Sequence, residues 1–297
     1  MKYWFNLVRA KNLLMMLLIF TLIKFSFFEK LPFSTALNLK DYVLLSLSII
    51  FIMAGGYVLN DVCDIETDKI NKNKSLVLGE KISVKEAKNL YGILSFLGLL
   101  LGFLLCLHVK TPLYFFLFLF PFLLLIIYSK ILKYKFLIGN ITIGLLLFTS
   151  IYYFNIFELY SIDSSSILIE KEQAQNKIIA LGVFAFLLTL LREIAKDAED
   201  IPGDVISKSS SLPIKLGLKK TNLILGVLAS VTMCCVIYFI WQIPSYLLKT
   251  YLMLGVIIPL LYFSISIHKN NKSSDYTKTT KQLKLIMLIG ILSVLFF

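Results

Sequence analysis

Long uninterrupted apolar stretches alternate with short polar segments along the chain. Nine stretches reach the roughly 17–25 residues that an α-helix needs to cross the hydrocarbon core of a bilayer. They predict nine transmembrane spans near residues 12–29, 41–60, 89–108, 112–128, 137–157, 177–195, 221–241, 247–268 and 281–297. No polar segment is long enough to bury a second core, so we expect one integral-membrane domain over residues 1–297.

The overall composition agrees with this interpretation. Hydrophobic residues make up 58% of the chain and charged residues 16%, compared with about half and about a quarter in an ordinary soluble domain. The sequence therefore predicts an all-α polytopic membrane protein.

The distribution of basic residues predicts the orientation of the spans. Of the 30 lysines and arginines, 23 lie at the N-terminus or around the loops after the second, fourth, sixth and eighth spans, and 6 lie in the other loops. Cytoplasmic loops carry an excess of these residues, so we expect a cytoplasmic N-terminus and an external C-terminus in the cell membrane. The net charge of +12 then reflects topology and attraction to anionic lipid headgroups, and no nucleic-acid partner is expected.

Two acidic clusters interrupt this apolar pattern. The first acidic motif, "NDVCDIETD" (residues 60–68), ends the second span, and the second acidic motif, "KDAEDIPGD" (residues 196–204), ends the sixth. Both contain the spacing D-x2-D-x3-D, and each aspartate of the second motif follows its counterpart by 136 residues. The six residues are Asp61, Asp64, Asp68, Asp197, Asp200 and Asp204. Two unrelated solvated loops would have little reason to share this pattern.

The spacing predicts how these side chains are presented. Steps of three or four residues keep side chains on one face of a helix, so Asn60, Asp64 and Asp68 should line up. Pro202 and Gly203 should break the sixth helix, so that Asp204 folds back from a turn. Facing rows of carboxylates repel unless cations lie between them. Oxygen ligands of this kind suit Mg²⁺, which substrate phosphates usually complete.

Basic residues near both motifs fit a phosphate-binding role. Lys72 and Lys74 follow the first motif, and Arg192 and Lys196 lie one helical turn apart at the second. Arg192 is one of only two arginines in the chain, and its planar guanidinium suits bidentate phosphate binding. For the lysines, the alternative is the excess of positive charge common in cytoplasmic loops.

At these residues the chain resembles the UbiA superfamily of intramembrane prenyltransferases. The resemblance implies a central cavity surrounded by the nine helices. It also implies that both acidic motifs bind Mg²⁺ and the diphosphate of a polyprenyl donor, a role that would fall to Asn60, Asp61, Asp64, Asp68, Asp197, Asp200 and Asp204.

Weaker matches to the family lie elsewhere in the chain. "YSKILK" implies that Tyr128 and Lys133 lie near the diphosphate or the reacting carbon, and "RAKN" implies that Asn12 faces the cavity. Gly139 and Asn140 begin the fifth span where the family often has them. The expected partners are a polyprenyl diphosphate, a lipid-soluble acceptor and membrane lipids. No obligate protein partner is evident.

The acceptor is predicted from a finer resemblance. "REIAKDAEDIPGD" and "DKINKNKSLVLGEKIS" resemble enzymes that transfer geranylgeranyl to geranylgeranylglyceryl phosphate in ether-lipid synthesis. Asn73 and Ser75 depart from the family, which often has a proline and a basic residue there. One alternative is prenylation of an aromatic acceptor in quinone or haem biosynthesis. A remote alternative is a cation transporter, but transporter acids tend to lie at mid-bilayer beside broken helices.

Overall fold

The computed structural model describes residues 2–71, 77–160, 167–206 and 209–297. Within these ranges, nine helices are long and apolar enough to cross a membrane, and no extended strand is present. The spans are Ala10–Lys30, Leu39–Cys63, Val84–His108, Pro112–Lys130, Ile138–Leu159, Leu168–Glu199, Leu212–Gln242, Tyr246–Lys269 and Ser273–Phe296. The all-α polytopic class and the number of spans are confirmed. The central cavity and the single domain stay predictions.

Shorter elements connect or interrupt the spans. The first span contains a π-helical turn at Leu22–Phe27 and the eighth contains one at Met253–Ile257. Short α-helices are Lys2–Leu7, Ile65–Asn71 and Ile201–Ile206. Turns of 3₁₀ helix are Phe28–Lys30, Pro112–Phe115, Leu132–Tyr134, Ile267–Lys269, Ser273–Asp275 and Ser293–Phe296.

The sixth helix extends beyond the stretch predicted from hydropathy. The seventh span, Leu212–Gln242, includes a short helical segment before a break at Gly217, which has φ 75° and ψ 163°. The sixth has 32 residues, which corresponds to about 48 Å of α-helix, more than the ~30 Å hydrocarbon core. Its first turns carry Glu170, Lys171 and Glu172, which are good helix formers. Hydropathy detects only the apolar part of such a helix, so the predicted boundaries were too short.

The described residues form two compact units. The first consists of Met1–Phe20 and Ala36–Lys133. Its second and third spans approach closely at Gly98. A Cβ atom added to this glycine would lie only 2.8 Å from Ile52 Cγ1. The Ser48 hydroxyl donates a hydrogen bond to the Gly98 carbonyl at 2.6 Å across the same contact. Small residues allow such close approach between membrane helices.

The second unit consists of Thr21–Thr35 and Tyr134–Phe297. Its fifth and sixth spans pack through two reciprocal contacts of glycine against phenylalanine. A Cβ atom at Gly144 would lie 2.8 Å from the Phe186 ring, and one at Gly182 would lie 2.8 Å from the Phe148 ring. This packing holds the two helices, and the second acidic motif at the end of the sixth, in a fixed register.

Candidate active site

The first acidic motif lies where the second span ends. The helix stops at Cys63, and Asp64 caps it with φ −98° and ψ 8°. Hydrogen bonds of helical spacing continue across the break, from Asp64 N to Asn60 O at 2.9 Å and from Asp68 N to Asp64 O at 2.8 Å. The cap therefore changes the direction of the chain without separating the acids of the motif.

Arg9 pairs with the first aspartate of this motif. Its Nη2 lies 3.0 Å from Asp61 Oδ1, and its guanidinium stacks 4.8 Å above the centre of the Tyr57 ring. Arg9 has φ 51°, a left-handed conformation that residues other than glycine rarely adopt. This kink between Lys2–Leu7 and the first span brings the guanidinium to the motif. Sequence reasoning missed Arg9, although the scarcity of arginine in the chain was an available signal.

Asp64 has two partners within the same unit. Asn60 Nδ2 donates a hydrogen bond to Asp64 Oδ2 at 2.8 Å, so the two residues share a helix face, as their spacing predicts. Lys133 Nζ forms an ion pair with Asp64 Oδ1. Lys133 lies in the 3₁₀ turn after the fourth span and its side chain is 9% exposed. A predicted diphosphate ligand thus contacts a predicted metal ligand.

The donor atoms at this motif fit a magnesium ion. Asn60 Oδ1 is buried and has no hydrogen-bond partner, which leaves a hard oxygen available beside Asp64. Among the described residues, no three His, Cys, Asp or Glu side chains converge as a closed metal cage. Mg²⁺ needs no such cage, because it is usually held by one or two carboxylates together with water and substrate phosphates.

The second acidic motif lies at the end of the sixth span. Asp200 caps this helix with φ −92° and ψ 6°. Asp197 Oδ2 accepts a hydrogen bond from Asn140 Nδ2 of the fifth span at 2.8 Å. Lys196 Nζ lies 3.9 Å from Asp200 Oδ2. An amide and a cation therefore accompany the carboxylates here, as they do in the first motif.

The prediction that Asp204 folds back from a turn was wrong. Asp204 lies in the short helix Ile201–Ile206, and its backbone N–H donates to Asp200 O at 3.1 Å. Pro202 occupies the first turn of this helix, where proline is tolerated because its missing N–H would have no helical partner. The long helix does end before Pro202, so proline separates two helices here and does not abolish helical structure.

The other predicted site residues have varied environments. Arg192 Nη1 lies 2.9 Å from Glu193 Oε1 near the second motif. Tyr128 lies near the end of the fourth span and is half-buried. Asn12 is half-buried in the first turn of the first span, where its N–H donates to Arg9 O at 2.8 Å. Lys72 and Lys74 lie outside the described residues.

The fold and these clusters together define a class of protein. Oxygen-donor groups accompanied by basic side chains, at the ends of apolar spans, suit an integral-membrane protein that binds Mg²⁺ together with phosphate groups. The sequence model of the UbiA prenyltransferase family matches residues 17–289. The chain therefore belongs to this family and is an integral-membrane prenyltransferase.

Relatives and solved structures agree with this membership. Digeranylgeranylglyceryl phosphate synthase of Saccharolobus solfataricus is 31% identical over 87% of this chain and 85% of its own. A solved structure described as giving insights into digeranylgeranylglyceryl phosphate synthase in membranes is 26% identical, with a TM-score of 0.68 over 99% of this chain and 97% of that chain. A UbiA homologue from Archaeoglobus fulgidus, solved bound to GPP and Mg²⁺, is 18% identical, with a TM-score of 0.65 over 99% of this chain and 100% of that chain. The latter shares the fold.

Proposed function

We propose that this prenyltransferase transfers a geranylgeranyl group from its diphosphate to geranylgeranylglyceryl phosphate, in a reaction that requires Mg²⁺. The names of relatives that match most of the chain support the acceptor. The A. fulgidus protein of the same fold binds a shorter prenyl diphosphate together with Mg²⁺. Within this chain, the observation that carries the proposal is the contact of Asp64 with both Asn60 and Lys133.

In this proposal both acidic motifs hold the metal and the donor diphosphate. The grouping of a carboxylate, an amide oxygen and a lysine at one span end is what a metal–diphosphate complex needs, because the oxygens bind the cation and the ammonium binds phosphate oxygens. The second motif offers the same chemistry through Asp197, Asn140 and Lys196. The proposed metal ligands are Asn60, Asp61, Asp64, Asp68, Asp197, Asp200 and Asp204.

The chemical step breaks the allylic C–O bond to the diphosphate and forms an ether bond to the acceptor. Bound Mg²⁺ would stabilise the negative charge that develops on the leaving diphosphate. Lys133 and Arg192 donate hydrogen bonds to the same oxygens. Tyr128 presents an aromatic face to the reacting carbon, which becomes cation-like as the bond lengthens. The glycerol hydroxyl adds to that carbon, and its proton and the diphosphate leave.

The acceptor phosphate requires positive charge beyond what the donor uses. A phosphorylated glycerol lipid brings a second anionic group to the site, whereas an aromatic acceptor brings one carboxylate or none. The proposed substrate ligands are Asn12, Asn60, Lys72, Lys74, Lys133, Arg192 and Lys196. We further propose that the active-site loops face the cytoplasm from the cell membrane, where both lipid substrates are present, and that activity requires no protein partner.

Turnover by the purified protein tests the metal-dependent transfer. With geranylgeranyl diphosphate and geranylgeranylglyceryl phosphate, activity should vanish in EDTA and return with Mg²⁺. Asp64→Ala should abolish turnover, since it removes a metal ligand and the partner of Lys133. Glu66→Ala is the matched control. It removes the same charge two residues further along the chain, and the Glu66 side chain is 82% exposed. Full activity in chelator, or equal loss in both variants, would contradict the mechanism.

Competition between acceptors tests the substrate assignment. Geranylgeranylglyceryl phosphate should be prenylated in preference to 4-hydroxybenzoate when both are present. Lys133→Gln and Arg192→Gln should be assayed with each substrate varied separately. If one of these residues binds the acceptor phosphate, its substitution should raise the acceptor KM by about 10- to 150-fold, the effect of losing a hydrogen bond to a charged group. Preference for 4-hydroxybenzoate would assign the enzyme to the aromatic alternative.

A further inference from the structure

One acid of the second acidic motif, Glu199, is bound by the ninth span. Thr277 Oγ1 donates to Glu199 Oε1 at 2.7 Å, and Thr280 Oγ1 lies 3.2 Å from Glu199 Oε2. Each carboxylate oxygen thus has a hydroxyl within hydrogen-bond distance, and the single Thr280 proton is shared with the Thr277 carbonyl, which also lies 3.2 Å from Thr280 Oγ1. Thr277 and Thr280 are three residues apart, so they share one face of their helix. The proposed metal ligands of the motif do not include Glu199.

The contacts of Glu199 and Asp197 approach the sixth helix from different sides. Residues two positions apart on an α-helix are rotated by about 200° around its axis, so their side chains point to nearly opposite sides. Asn140 of the fifth span donates to Asp197, whereas Thr277 and Thr280 of the ninth span bind Glu199. The last turn of the sixth helix is therefore held between two neighbouring helices.

The start of the ninth span is itself well anchored. Tyr276 is completely buried, and its hydroxyl donates to Asn222 Oδ1 of the seventh span. Asn222 Nδ2 in turn donates to Asn270 O at 2.8 Å, just after the eighth span. Asn270 Nδ2 donates to Thr279 Oγ1 at 2.9 Å, which closes the network on the ninth span. Thr277 therefore directly follows an anchored residue, in a segment tied to the seventh span and to the end of the eighth.

The end of the sixth helix needs a support. A helix C-terminus carries partial negative charge and unpaired carbonyl groups. Four acids, Glu193, Asp197, Glu199 and Asp200, lie in its last two turns or cap it. Arg192 and Lys196 offset part of this charge. The remaining repulsion between the acids and with the helix dipole favours fraying of the turn that presents Asp197 and Asp200. Hydrogen bonds from neutral hydroxyls to a carboxylate oppose this without neutralising the charge that a cation requires.

We propose that Glu199 is a positioning residue: by binding Thr277 and Thr280, it fixes the last turn of the sixth helix so that Asp197 and Asp200 are preorganised for Mg²⁺ and diphosphate. This inference rests on the proposed function of the second motif. Glu199 itself touches neither metal nor substrate. Its loss should weaken metal–diphosphate binding and leave the acceptor KM unchanged, a pattern that a general loss of stability would not produce.

The test measures binding without turnover. The rise in melting temperature caused by Mg²⁺ with inorganic pyrophosphate is recorded for wild type, Glu199→Ala and the pair Thr277→Val with Thr280→Val. In both variants the Mg²⁺ concentration giving half the rise should increase about 10-fold or more, the order expected when a hydrogen bond to a charged group is lost. Thr277→Ser with Thr280→Ser should behave as wild type, because the hydroxyls are kept. Glu172→Ala, an exposed acid at the other end of the same helix, is the matched control.

Combining the variants decides whether the residues act as one unit. Glu199→Ala together with both valine substitutions should be no worse than Glu199→Ala alone, since the same contact is removed. Additive effects, wild-type affinity in Glu199→Ala, or a change confined to the acceptor KM would overturn the positioning role. If Glu199→Ala fails to fold, the valine pair carries the same test. Absence of any Mg²⁺–pyrophosphate effect in wild type would overturn the proposed function as well, so the two failures are distinguishable.

Discussion

Single residues control how the first acidic motif is presented, and Arg9 shows this most clearly. Its strained backbone and its stacking on Tyr57 hold the guanidinium at Asp61. Asp61 accepts the Arg9 hydrogen bond through Oδ1. This contact fixes the carboxylate, so Oδ2 also keeps a defined direction. We interpret Arg9 as orienting a proposed metal ligand, a task that a flexible lysine performs less well because its ammonium is a point charge without a planar stacking face.

Arg9 substitutions test this orientation. Arg9→Ala should lower kcat/KM by about 10- to 150-fold, the range for one lost hydrogen bond to a charged group. Arg9→Lys should fall between Arg9→Ala and wild type, because the charge remains and the stacking is lost. The double variant Arg9→Ala with Asp61→Ala should be no slower than Asp61→Ala alone. Independent, additive losses would show that Arg9 acts elsewhere.

At the scale of helical elements, a buried ion pair links the first and fifth spans. Lys24 Nζ lies 3.1 Å from Glu158 Oε1, and the two side chains are 3% and 0% exposed. Lys24 lies in the π-helical turn Leu22–Phe27, which changes the direction of its side chain relative to a regular helix. A charge within a membrane span is costly unless it is paired, so this pair specifies how these two helices meet.

Breaking this pair should destabilise the protein much more than removing it entirely. Lys24→Met leaves Glu158 buried without its cation, which should lower the free energy of unfolding by about 3–5 kcal/mol. Lys24→Met combined with Glu158→Leu should recover most of the loss, because no charge stays buried. Denaturation in detergent measures the free energy of unfolding of both variants.

The exposed pair of Lys69 and Glu66 provides the control for this cycle. Its atoms lie 2.7 Å apart, and the side chains are 52% and 82% exposed. Exposed ion pairs contribute little to stability, so Lys69→Met should leave the unfolding transition nearly unchanged. A double variant at Lys24 and Glu158 that is as unstable as Lys24→Met would refute the burial argument.

At the scale of the whole molecule, the distribution of charge among the loops predicts how the spans insert. Basic residues are retained in the cytoplasm during insertion. The N-terminus and both acidic motifs fall on the side predicted to be cytoplasmic. Under the proposed function, the phosphate groups of donor and acceptor would then enter from the cytoplasm while their prenyl chains stay in lipid.

Cysteine labelling in cells tests this orientation. The four native cysteines are first replaced by serine, and single cysteines are then introduced at exposed positions at or near the ends of the spans. Lys40→Cys and Lys110→Cys should react with a membrane-impermeant maleimide in intact cells. Lys69→Cys and Lys269→Cys should react only after permeabilisation. The opposite pattern would invert the topology and place the active-site loops outside.

Local patterns in the sequence determined the class of protein, the nine spans and the acidic motifs. Hydropathy reports on transfer into lipid residue by residue, and i, i+4 spacing fixes which side chains share a face, as for Asn60 and Asp64. The helix boundaries and the helical conformation of Asp204 were less predictable. Helices continue beyond the hydrocarbon core, and proline in a first turn begins a new helix there.

Only the tertiary structure decided which partner each acid has. Arg9 meets Asp61 across 52 positions of sequence, Asn140 meets Asp197 across 57, and Lys133 meets Asp64 across 69. Thr277 meets Glu199 across 78. Such pairs depend on helix packing, on a left-handed residue and on where neighbouring spans end, none of which leaves a periodic trace in the chain. Residue type and spacing therefore determine which groups are available, and packing determines which of them meet.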